Sequence, residues 1–105
     1  MNYLLATLLL LAAPSSASAS PCLESIETAK DKTVSFEDHL AVHQRDMTCT
    51  LEKNNLRLHA EMLEASKSAY DCKCKHESMC DKTNLEIIRQ TYIGRLRLHS
   101  EKCSQ

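Results

Sequence analysis

Six cysteines, at positions 22, 49, 72, 74, 80 and 103, are the side chains of this 105-residue sequence most able to do chemistry. Clustered thiols close disulfides where the compartment is oxidising, or hold a metal as thiolates where it is not. Cys72-x-Cys74 with Cys80 could ligate zinc, so the compartment decides which chemistry applies. The N-terminus speaks to that question. Met1-Asn2-Tyr3 leads into an apolar run from Leu4 to Ala13, and Ser15-Ser16-Ala17-Ser18-Ala19 follows. A transmembrane helix needs roughly 20 apolar residues, about twice this run. The length is that of a signal-peptide core, and Ala17-Ser18-Ala19 has the small-x-small form of a cleavage site, although no Lys or Arg precedes the run. The expectation is a signal peptide over residues 1–19, export to the extracellular space, and one domain over residues 20–105. Oxidation on that route consumes Cys22, Cys49, Cys72, Cys74, Cys80 and Cys103 in three disulfides and leaves no thiolate for zinc.

Other reactive types are arranged less productively. His39 and His43 stand four apart, a spacing that presents two imidazoles to one ion, with Glu37, Asp38 and Asp46 nearby. A specific site needs further ligands, and the glutamate of an HExxH motif is missing, so the expectation is a polar face and no metal. Nucleophilic catalysis needs a Ser or Cys beside a His base and an orienting acid, and no Gly-x-Ser-x-Gly is present. The sole glycine, Gly94, cannot make a phosphate-cradling loop. Arg89, Arg95, Arg97 and Lys102 lie around different sides of one segment and read as solvated charge, and acidic and basic residues are interspersed throughout. These features exclude a nucleic-acid partner and predict no catalytic residue, no cofactor and no enzyme.

The elements that carry these residues are helical. One Gly and, beyond the leader, one Pro (Pro21) argue against a loop-rich β fold. Leu51, Asn55, Leu58, Met62, Ala65, Ala69 and Cys72 recur at alternating spacings of four and three, which places them on one face of a helix, widened by Leu56, His59, Leu63 and Tyr70. A later helix carries Leu85, Ile88, Tyr92, Leu96, His99 and Cys103 on one side and opens on Thr83 with Glu86 as a capping box. Gly94 within it reads as a close-packing point or a kink. In the first segment the apolar face shifts between Leu23, Ile26, Val34 and Phe36, Leu40, Met47, where Ser35 and Asp38 could cap a new helix. A break near Thr48-Cys49-Thr50 is suggested by two poor helix formers flanking the cysteine.

Cysteine spacing selects the topology. Cys49 to Cys72 and Cys80 to Cys103 are each 23 residues apart, so two antiparallel helices joined over residues 73–81 bring Cys49 beside Cys103. A first helix running from Cys22 to a turn near Cys49 places Cys22 at the other end with Cys72, Cys74 and Cys80. Both ends then hold an even number of cysteines, which favours an all-α, antiparallel three-helix bundle stapled by disulfides. With Cys49–Cys103 fixed and the strained Cys72–Cys74 ring discarded, two arrangements remain: Cys22–Cys72 with Cys74–Cys80, or Cys22–Cys74 with Cys72–Cys80.

The function expected from this scaffold is binding. The leading reading is a secreted, non-enzymatic module that acts on another protein through a rigid helical face. Ile87, Ile93 and Leu98, which fall off the main stripe of the last helix, are the candidate surface unless they pack inward. The alternative is an extracellular carrier of a lipid or small hydrophobic ligand, which would require an unfilled apolar cavity. Leu56-Arg57-Leu58-His59-Ala60-Glu61 resembles Leu96-Arg97-Leu98-His99-Ser100-Glu101, a similarity too short for a structural repeat.

Overall fold

Three helices in up-down-up order make the fold: α1 Leu23–His43, α2 Cys49–His76 and α3 Thr83–Lys102. The structure, a computed structural model, describes residues 21–77 and 80–103. The expected signal peptide, residues 1–19, lies outside the described residues. None of the helices is long and apolar enough to cross a membrane.

Each boundary has a local cause. Thr48 adopts an extended backbone, and its hydroxyl accepts the Leu51 amide at 3.1 Å, capping α2 where two poor helix formers flank Cys49. Its carbonyl accepts the Glu52 amide at 2.8 Å and so starts the helical ladder. At α3 the expected Thr83–Glu86 box does not form. Asp81 Oδ1 instead accepts both the Thr83 amide, at 2.9 Å, and the Thr83 hydroxyl, at 2.5 Å. A carboxylate at a helix N-terminus outcompetes a hydroxyl because the exposed amides and the helix dipole both favour negative charge. Glu86 is left to bind Arg89 and Gln90 one turn on. The Ser35–Asp38 cap is also absent. α1 runs unbroken through the shift in its apolar face, and Thr33 turns its hydroxyl back onto the Ala29 carbonyl at 2.8 Å.

Three disulfides tie the helix ends. Cys22–Cys72 joins the start of α1 to α2, Cys49–Cys103 joins the start of α2 to the end of α3, and Cys74–Cys80 closes the α2–α3 connection. No cysteine among the described residues is free. The bundle is open: α1 and α3 each pack on α2, but their backbones do not approach one another. The result is an open layer with extents of 55 × 31 × 16 Å.

Such a layer has a thin core. Its buried apolar side chains are Cys22, Leu56, Met62 and Ala69, interleaved with buried Asn55, His59 and Ser66. Asn55, Met62 and Ala69 belong to the expected stripe, and Leu56 and His59 to the row flanking it. Gly94 is neither a close approach nor a kink: α3 is continuous, and a methyl group placed at this position would meet no atom within 4 Å.

Candidate binding trough

The centre of the layer is polar. Asn55 and His59, on successive turns of α2, are 0% and 2% exposed. Arg95 of α3 reaches both, donating from Nη2 to Asn55 Oδ1 at 2.6 Å and from Nη1 to His59 Nδ1 at 3.0 Å. Because a guanidinium only donates, His59 Nδ1 must be the unprotonated nitrogen, and the other nitrogen carries the proton to the Ile88 carbonyl. Burial and the neighbouring Arg95 charge hold the His59 pKa below the ordinary histidine value. The ring also packs against Phe36 of α1 and Tyr92 of α3, at centroid distances of 4.7 and 5.3 Å. Arg95 lies 5.6 Å from the Phe36 ring, so this side chain spans from α3 to α1 where the backbones do not.

His39 continues the network on α1. Asn55 Nδ2 lies 3.0 Å from its Nδ1, and Asn54 Nδ2 lies 3.3 Å from its Nε2. Arg95 and Arg57 fix both amide oxygens, so both NH2 groups face the ring. A neutral imidazole accepts at one nitrogen only, so one of these contacts at a time is a hydrogen bond. Desolvation, with the nearby His43 and Arg57, lowers the His39 pKa.

Beside this centre runs an unfilled trough. One section, of about 500 Å³, lies between α1 and α2 and is lined by Ile26, Ala29, Thr33 and Val34 facing Ser66, Ala69 and Tyr70, with Lys30 and Lys73 at the rim. A second section, of about 320 Å³, is lined by Phe36 and Leu40 of α1, His59 and Met62 of α2, and Ile87, Ile88, Thr91 and Arg95 of α3. Thr33 and Phe36 are one turn apart on α1, as are Ser66 and Met62 on α2, so the sections run end to end along the α1–α2 seam. The trough exists because α3 does not close over α1.

The residues singled out by sequence are dispersed. His39 and His43 stack at 4.5 Å between ring centroids, and the nitrogens of His39 are turned to Asn54 and Asn55. The single group of three potential ligands among the described residues is Glu52, His99 and Cys103, and there the Cys103 sulfur is held in its disulfide. His99 Nδ1 donates to Glu52 Oε1 at 2.7 Å, which with Lys102 holds the Glu52 carboxyl below its usual range despite partial burial. Arg95 is not solvated charge as its sequence context suggests: α3 turns it onto the polar centre. Arg89 does lie at the surface, paired with Glu86 at 2.6 Å. Ile87 and Leu98 stay 56% and 65% exposed and Ile93 is uncovered as well, so none of the three packs inward. The buried network was signalled in sequence by Asn55 and His59 lying within an apolar stripe, but nothing there marked Arg95 as their partner.

Compared with protein-family models, curated proteins and solved structures, the chain matches none.

Proposed function

We propose that this chain is a secreted, non-enzymatic protein that acts by binding another protein, with α3 as its contact helix. The observation that supports this reading is the uncovered side of α3. Ile87 and Leu98 are 11 residues apart, three turns of helix, and so share one side, which is more than half exposed at both positions. The helix is tethered at both ends, by Cys74–Cys80 just before it and by Cys49–Cys103 at its close, so a partner meets a surface that needs little ordering. Secretion rests on the leader-like residues 1–19 and on three disulfides of a kind that persist in oxidising compartments. The non-enzymatic part rests on the sequence, which pairs no nucleophile with a base.

The test is a photo-cross-linker placed at Thr91, between the two isoleucine and leucine positions, and exposed to extracellular proteins of the source tissue. A discrete adduct that disappears in the Ile87→Asp/Leu98→Asp variant, with helicity retained, is the expected result. An adduct indifferent to both substitutions overturns α3 as the contact. A second activity, carriage of a small hydrophobic ligand, has one observation in its favour: the trough is apolar, unfilled and within the size range of ligand sites.

A further inference from the structure

We infer that the trough binds a single-chain amphiphile with a carboxylate head, a long-chain fatty acid, with the head between Lys30 and Lys73 and the tail running toward Leu40. The inference rests on the carriage reading, and its trough shares Ile87 with the α3 contact face.

Charge selects the head. The chain has 14 acidic residues, yet none lines either section of the trough. Two other surface hollows do contain them, Glu24 in one and Glu64, Asp71 and Glu86 in the other. Lys30 and Lys73 stand on opposite walls of the first section, Lys30 midway along the α1 wall and Lys73 at the end of the α2 wall. Neither has a carboxylate within ion-pair distance among the described residues, whereas Lys32, Arg57, Lys67, Lys82 and Arg89 are all paired. Two unpaired ammonium groups over an apolar floor attract one anionic group, and each can donate a charge-assisted hydrogen bond to it.

Shape selects the tail. At 1.5 Å per residue, the wall from Ile26 to Val34 is about 12 Å long, so the 500 Å³ section has a cross-section of about 40 Å². An acyl chain is much slimmer than a helix 10–12 Å across, and the section is wide enough to take one. From Lys30 to Leu40 is about 15 Å, the reach of an extended fatty acyl chain, and the walls over that distance include Val34 and Phe36 of α1 and Met62 and His59 of α2. The open side leaves part of the tail in water, so affinity should rise by about twofold per methylene, short of the roughly fourfold of full burial.

The experiment is displacement of dansyl-labelled undecanoic acid from the oxidised protein by laurate and by dodecanol, its uncharged counterpart. Laurate should displace the dye at least about tenfold better than dodecanol, and Lys30→Glu/Lys73→Glu should weaken laurate by at least about tenfold. Lys53→Glu, a charge reversal outside the trough, should bind as the unmodified chain does. Equal displacement by laurate and dodecanol, or indifference to the lysine reversals, would overturn the carboxylate head while leaving carriage intact. Failure of dye, laurate and dodecanol alike to bind would overturn carriage itself. Displacement by an acidic amphipathic peptide more tightly than by laurate would reassign the trough to a partner helix.

Discussion

Arg95 is the residue on which the centre of this layer depends, because it satisfies two buried acceptors at once and reaches a third helix through its planar face. Replacing it with Met keeps much of the volume but leaves Asn55 Oδ1 and His59 Nδ1 without donors. A buried unsatisfied polar atom costs about 1–3 kcal/mol, so Arg95→Met should lower unfolding free energy by about 2–4 kcal/mol in urea titration. The same atoms set a pH dependence. The fold lowers the pKa of His59 and His39, so below pH 6.5 the unfolded chain binds protons that the folded chain refuses. The stability they contribute is therefore complete above pH 6.5 and lost as pH falls through their depressed values. Glu52, also depressed, adds a separate loss below its ordinary value of 4.5. Urea midpoints measured across this range should fall in those two windows, and His59→Gln should shrink the first while sparing the second. A profile that stays flat from pH 7 to pH 5 would contradict the neutral buried imidazole.

The helices owe their ends to caps and their faces to packing, and Gly94 is governed by neither. It sits in a continuous α3, has no positive φ, and faces open space. Gly94→Ala should therefore stabilise the protein by up to about 1 kcal/mol, seen as a raised thermal midpoint. Thr48→Ala should act in the opposite sense by about 1 kcal/mol, since the Leu51 amide loses its acceptor. A Thr48→Ala variant as stable as the unmodified chain would mean that this cap does not set the start of α2.

For the whole molecule, a layer with so few buried apolar side chains gains much of its stability from cross-links. Cys22–Cys72 and Cys49–Cys103 close loops with sequence separations of 50 and 54, and each is expected to contribute about 4 kcal/mol by restricting the unfolded chain. Cys74–Cys80, with a separation of 6, should contribute about 2 kcal/mol. Replacing Cys22 and Cys72 by Ser should thus cost far more than replacing Cys74 and Cys80, in guanidinium unfolding of each oxidised double variant. A similar loss from both pairs would show that loop closure is not what these bridges supply. The openness of the layer also explains why apolar side chains remain exposed on α3 and why the trough is open, since among the described residues no fourth element covers them.

The sequence by itself determined three helices, their antiparallel order and the clustering of cysteines at two ends, because periodicity and helix length are local properties. It did not separate Cys22–Cys72 from Cys22–Cys74. Two residues along a helix are a 200° rotation apart, so the choice depends on which side of α2 receives α1. The two Leu-Arg-Leu-His segments make the same point. Leu56 and His59 are buried on α2, which is packed from two sides, whereas Leu96 on singly packed α3 is 40% exposed and His99 pairs with Glu52 near the surface. Near-identical residues acquired different roles because burial follows from how many neighbours a helix has. The Arg95 network and the trough are likewise products of tertiary structure: both arise from α1 and α3 packing on α2 without their backbones approaching one another, an arrangement that no local pattern encodes.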